Sequence, residues 1–135
     1  QVSSPDMEAF YFSIEIGMLE IYNEEISDLL AHQEDSTFDS RHKSTLELRC
    51  DDYGNVTVPD LTKEVIHSVD DIAILLQRGN AKRATTQIHL NEHRSRSHRV
   101  IDVQVSSGTT SQMNDAHLYL VDLAASVPVQ KSDVA

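Results

Sequence analysis

The 135-residue chain has a single cysteine, Cys50, so no internal disulfide can staple it, and a lone thiol fits a reducing compartment. It has no apolar run near the length of a membrane span, and residues 1–10 carry neither the basic nor the apolar stretch of a secretory leader. Basic residues are scarce. Against 22 Asp and Glu there are 11 Lys and Arg, and the net charge of −11 argues against broad charge-driven binding to nucleic acid or to an anionic membrane. Glycine is scarce too: Gly17, Gly54, Gly79 and Gly108 are all there are, and none precedes a lysine. The phosphate-cradling loop GxxxxGK[ST] is therefore absent, and with it the backbone N–H groups and lysine that hold β- and γ-phosphates. The chain alone is not expected to bind a nucleoside triphosphate tightly.

What is present is ordinary for a soluble globular protein: 39% hydrophobic and 24% charged residues. The length suits one modest domain with a real core, without internal repeats or a second domain. A start at Gln1 reads as a fragment. Arg78, Lys82, Arg83, Arg94, Arg96 and Arg99 crowd into one stretch, so an acidic chain carries one local basic site.

Residues 10–22 (FYFSIEIGMLEIY) alternate at first, with Phe12, Ile14, Ile16 and Met18 on one face, then become apolar on both, as a strand entering a buried sheet does. Residues 23–30 (NEEISDLL) form a turn and a short helical or extended piece, and 31–44 a polar loop. Residues 45–50 (TLELRC) and 56–58 flank the turn sequence DDYGN as a hairpin. Ser68 and Asp71 match a capping box, and Ile72, Leu75 and Leu76 share a face, predicting a helix over 68–79 with Gly79 at its left-handed end. A second helical segment over 81–90 follows. Residues 99–105 alternate, with Ile101, Val103 and Val105 inward and Asp102 and Gln104 outward. After a polar connection over 106–115, the apolar run 117–123 (HLYLVDL) reads as a strand covered on both faces. The class is α/β.

Two segments carry chemistry. A buried strand ending in Asp122 delivers a carboxylate to the mouth of a sheet, where phosphates and magnesium bind in nucleotide hydrolases; the alternative is an aspartate that caps a turn. Residues 91–98 (NEHRSRSH) crowd hydroxyls, an amide, arginines and histidines before a strand, and could present Ser to a metal and Arg to a phosphate; the alternative is a solvated loop. His89, His93 and His98 lack a fourth ligand of matching geometry, so zinc is not expected.

With their flanks the two segments say more. LEIYNEEISDLL (19–30), RGNAKRAT (78–85), NEHRSRSH (91–98) and LYLVDLAAS (118–126) stand in the order and approximate spacing of the kinesin patterns EIYNE..DLL, GN..RAT, N..SSRSH and LVDLAGSE. From about Phe12 to Ser126 the chain resembles a kinesin motor domain. Around residues 56–71 the wording is similar to motors that carry their head at the C-terminus. The resemblance implies half of a P-loop-type motor domain: four neighbouring strands of a mixed central sheet, a flanking helix, and both nucleotide switches. The phosphate-binding loop and the tubulin-binding helix would lie outside residues 1–135.

The resemblance further implies ATP and magnesium as cofactors of the parent, microtubules as partner, a cytoplasmic, cytoskeletal location and a coiled coil elsewhere in the parent. By resemblance Asn91, Ser95, Arg96, Ser97 and His98 are switch I residues, and Asp122 belongs to switch II. Ser95 and Asp122 would act on magnesium indirectly, and Lys131 would lie on the microtubule-facing surface. Without its native neighbour the strand at 117–123 would present an apolar edge, which predicts self-association or poor stability.

Three departures bear on activity. Arg94 replaces a serine of switch I, and Ala125 replaces the glycine whose amide senses the γ-phosphate. Val127 stands where the family has the glutamate that pairs with Arg96. If enclosed and unpaired, Arg96 would cost roughly 3–5 kcal/mol. A degenerate motor, a splicing or gene-model artefact, and a non-hydrolysing relative all fit these changes, and so does an inactive interaction module binding a protein partner.

Overall fold

The computed structural model describes residues 8–32, 46–85 and 95–126. A long strand β1 (Tyr11–Tyr22) is the spine of the sheet. One of its edges pairs from Tyr11 to Ile21 with β6 (His98–Gly108). The other edge is divided: β5 (Lys63–Val65) takes residues near Gly17, and β2 (Glu25–Asp28) takes Leu19 to Tyr22. β7 (Met113–Asp122) lies outside β6, giving the order β2-β1-β6-β7, and all these pairings are antiparallel. A small separate hairpin joins β3 (Arg49–Cys50) to β4 (Val56–Thr57) through the predicted DDYGN turn. Asp51 Oδ1 organises that turn by accepting from the amides of Tyr53 and Asn55 at 2.9 and 2.8 Å.

Residues 23–30 are extended, not helical. Asn23 and Glu24 both take positive φ (51° and 65°), the backbone of a two-residue hairpin whose twist matches its strands. Asp28 then closes β2: Oδ1 accepts from the amides of Leu30 and Ala31, and Oδ2 from the amide of Thr62 at 2.8 Å. That carboxylate turns the chain so that Leu29 and Leu30 drop into the core.

The helix α1 (Val69–Thr85) begins as the capping box predicts, with the amides of His67 and Ser68 donating to Asp71 Oδ2 and the Asp71 amide donating to Ser68 Oγ. It does not end at Gly79. It runs through that residue without a break, absorbing the start of the expected second helical segment; residues 86–90 of that segment lie outside the described residues. Gly79 is needed for contact, since a Cβ there would stand 2.3 Å from Met18 Sδ. Packing, and not a left-handed turn, selects the glycine.

Two cores lie on opposite faces of β1. Ile16, Met18, Leu29, Leu30 and Leu75 are buried beneath α1, with Ile101 and Val103 packed beside them. Leu19, Ile26, Leu46 and Leu61 form the other, which borders a cavity of about 540 Å³ under the β3–β4 hairpin. This second core gives the outward face of Asp102 a buried setting. Asp102 faces away from α1, but it is buried, its Oδ1 accepting from His117 Nδ1 at 2.9 Å and its Oδ2 lying 3.5 Å from Lys63 Nζ.

The last strand also differs from expectation. β7 starts four residues earlier than predicted, because β6 and β7 meet in a tight turn closed by Thr109 and Gln112, which exchange backbone hydrogen bonds. All ten residues of β7 are exposed, so it is not covered on both faces. Among the described residues no element stands beyond β7, and its outer edge is unpaired.

Candidate functional site

The loop before β6, the end of β7 and the last turn of α1 meet at one end of the sheet. The register sets this up: Arg99, second in β6, pairs with Asp122, last in β7. The loop that precedes β6 therefore lies beside the stretch that follows β7. The Ala124 amide donates to His98 Nδ1 at 3.0 Å, tying the stretch after β7 to the first residue of β6. With Nδ1 accepting, the proton of a neutral His98 sits on Nε2.

Arg83, from the last turn of α1, holds the centre. Its Nε donates to Glu20 Oε1 of β1 at 2.9 Å and its Nη2 to Ser97 Oγ at 2.6 Å, while Nη1 lies 3.8 Å from Asp122 Oδ2. The Arg83–Glu20 pair is enclosed, with side chains 7% and 5% exposed. Arg99 completes the group: Nη2 is 3.4 Å from Asp122 Oδ2, and Nη1 donates to Asn80 Oδ1 at 2.6 Å. One carboxylate thus stands between two guanidiniums, each anchored to a different partner.

The site residues expected from sequence separate into three groups. Ser97, His98 and Asp122 are brought together in this network. Ser95, Arg96 and Ala125 are described beside it: Ser95 is half-buried, and Arg96 and Ala125 are exposed. Asn91, Arg94 and Lys131 lie outside the described residues, as does Val127. The expectation for Arg96 changes. It is exposed and has an interaction partner, so no enclosed, unpaired cation arises. Among the described non-glycine residues positive φ occurs at Asn23 and Glu24, so the Ala125 methyl meets no left-handed backbone here.

Glu20, Asn80, Arg83 and Arg99 are functional candidates that the sequence reading missed. Arg83 and Arg99 stood within the basic cluster, but nothing marked which cations were enclosed. Glu20 gave the one available signal: an acidic residue in an apolar strand, on the face that Met18 fills. Such a group needs a buried cation.

Electrostatic effects elsewhere are peripheral. Side-chain bonds from Thr110 and Ser111 at the β6–β7 turn hold Glu8 down at about 2. The amides of His67 and Ser68 lower Asp71, and the side chain and amide of Asn55 lower Asp51. Partial burial first, and the Asp102 carboxylate second, raise Tyr119.

Ser97 is 1% exposed with its oxygen already bound by Arg83, and Asp122 faces two cations. Among the described residues no group of three or more His, Cys, Asp or Glu could hold a metal ion. No helix among them is long and apolar enough to cross a membrane.

An α/β sheet with a helix on one face, and the loop before β6 meeting the stretch after β7 at its end, defines part of a larger domain. The kinesin motor domain family model matches residues 2–135. Kinesin-like protein KIN-5B of Arabidopsis thaliana is 37% identical over 127 residues, covering 90% of this chain and 12% of that protein. KIN-5C of Oryza sativa is 37% identical over 128 residues, and KIN-14G of Arabidopsis thaliana is 35% identical over 125. The solved structure of a fast kinesin, described for its ATPase mechanism and interactions with microtubules, superposes with a TM-score of 0.72 at 28% identity. It matches 91% of this chain and 33% of its own. The chain belongs to the kinesin motor domain family and spans 12–13% of the length of the curated relatives it matches. Identities of 37% and 35% to KIN-5B and KIN-14G do not separate the branches.

Proposed function

We propose that residues 1–135 are one partial motor domain, the half bearing switch I (91–98) and switch II (121–126). The phosphate-binding loop and the tubulin-binding helix lie outside it. In the parent protein this half converts the γ-phosphate state of ATP into movement of the microtubule-binding face. ATP and magnesium are the parent's cofactors, microtubules its partner and the cytoskeleton its location. The observation that carries this reading is the convergence of Ser97, His98 and Asp122 on one end of the sheet, with the Ala124 amide bonded to His98. A coupling between two phosphate-sensing segments requires that contact. Asn91, Ser95 and Arg96 complete switch I, with Ser95 assigned to magnesium by resemblance while Ser97 is bound by Arg83. Arg94 and Ala125 are the altered sensing positions, and Lys131 lies toward the filament.

The 135-residue chain alone does not hydrolyse ATP, since it has no GxxxxGK[ST] loop. Titration with a fluorescent ATP analogue, with and without magnesium, tests this. No saturable binding is expected, and magnesium-dependent saturation at micromolar concentration would overturn it. A second reading, an inactive module that binds a protein partner or a second copy through a sheet edge, is favoured by the full exposure of β7. Co-sedimentation with microtubules at low and high salt separates a filament binder from such a module.

A further inference from the structure

Arg83 touches three elements other than its own helix, and its three contacts are not equivalent. The bonds to Glu20 and Ser97 are short and charge-assisted or well aligned; the 3.8 Å approach to Asp122 is too long for a hydrogen bond and acts through charge alone. Glu20 neutralises the cation in an enclosed setting, which leaves the guanidinium's remaining donors to act through direction. A planar fork is rigid. It cannot close on Asp122 without changing its angle to Ser97. Asp122, its side chain 58% exposed, has room to move between Arg83 and Arg99.

We propose that Arg83 is a positioning residue that couples the 95–98 segment to the carboxylate of Asp122. Displacing Asp122 re-aims the Arg83 fork and, through it, the hydroxyl of Ser97, while Glu20 holds the pivot at Nε. The proposal deepens the motor reading and rests on it, since it names what links the two phosphate-sensing segments on their helix side. A lysine at this position would keep the charge beside Glu20 but could not hold Ser97 and Asp122 in one plane.

The test needs no nucleotide. In ¹H–¹⁵N spectra of the 135-residue chain, Asp122→Asn is expected to displace the Ser97 amide signal and the Arg83 side-chain N–H signal. In an Arg83→Gln or Arg83→Lys background, the same change should no longer displace the Ser97 amide. It should still displace the Arg99 side-chain signal, which reports a direct contact. A Ser97 amide that stays still in the unaltered chain, or that moves equally with Lys at position 83, overturns the proposal. Arg83→Lys retains the charge beside Glu20 and provides the comparison if Arg83→Gln does not fold. Saturable, magnesium-dependent ATP binding by the 135-residue chain would overturn the reading of it as the half without a phosphate-binding loop and leave this coupling intact; an unmoved Ser97 amide would do the reverse.

Discussion

Gly79 of α1 lies so close to Met18 of β1 that an added Cβ would stand 2.3 Å from the methionine sulfur. Met18 is fully buried at the centre of the helix-side core and cannot swing aside without disturbing Leu29 and Leu75. In an exposed helix interior, Gly→Ala gains about 1 kcal/mol. Here overpacking of about 1–3 kcal/mol opposes that gain. Gly79→Ala is expected to lower the urea midpoint without changing the slope of the transition. Met18→Ala in the same chain should make the glycine change favourable; an unshifted or raised midpoint for Gly79→Ala alone would show that the core yields.

The Glu20–Arg83 pair is the most enclosed ion pair among the described residues, and its two partners are not individually dispensable. Glu20→Met leaves a buried guanidinium without its carboxylate, a loss of roughly 3–5 kcal/mol. Changing both residues to Met removes both desolvation costs, so the double variant should be closer in stability to the parent than the Glu20 single variant. A thermodynamic cycle from denaturant melts measures this, and additive losses would mean the pair contributes no specific interaction.

The contrast between these two sites shows what could be read in advance. β1, β6, the hairpin around DDYGN and the start of α1 follow from alternation, turn residues and a capping box, all of which are local. The continuation of α1 through Gly79 was hidden because a glycine chosen for contact with Met18 looks the same in sequence as one chosen for a helix end. Asp102 was hidden for a similar reason. Alternation put it opposite Ile101 and Val103, but only the second core around Leu19 and Leu61 makes that face buried. Of the candidate site, the ordered segments around Ser97 and Asp122 were legible by resemblance. The cation that joins them was not, because the pairing of Arg83 with Glu20 depends on residues far apart in the chain.

Acid should weaken three surface structures through carboxylates held below their ordinary values. For Glu8 the folded value is about 2, against 4.5 for the free side chain. A carboxylate depressed on folding contributes stability that is present above its unfolded value and is lost as the pH falls through its folded one. The Glu8 contacts at the β6–β7 turn should therefore weaken between about pH 4.5 and about pH 2. Asp71 and Asp51 should behave in the same sense below 3.8. Glu8→Gln should flatten the acid limb of a stability-versus-pH curve, and an unchanged limb would place Glu8 in solvent.

The exposed β7 predicts association. Its Leu118 and Leu120 are 57% and 50% exposed, with an unpaired strand edge beside them among the described residues. Leu120→Lys adds a charge that opposes edge pairing at little cost to the fold, since the side chain is already half in solvent. Sedimentation velocity should show concentration-dependent species for the unaltered chain and a shift toward monomer for the variant. A single monomeric boundary with a cooperative melt for the unaltered chain would count against the edge as an association site.

The proposed sensing position at 125 and its neighbour at 127 make the last prediction. Ala125 follows the amide that bonds His98, and Val127 stands where the family pattern has glutamate. A β-carbon at 125 restricts any swing of that segment toward positive φ, and an apolar residue at 127 lacks the carboxylate that the resemblance pairs with Arg96. Each change alone leaves the other defect in place, so single reversions should restore little. Ala125→Gly and Val127→Glu together, in a longer protein that includes a phosphate-binding loop, should raise microtubule-stimulated ATPase by tenfold or more, equivalent to about 1.4 kcal/mol of barrier. If the unaltered longer protein already shows stimulated hydrolysis, Ala125 and Val127 are tolerated and the switches work as they stand.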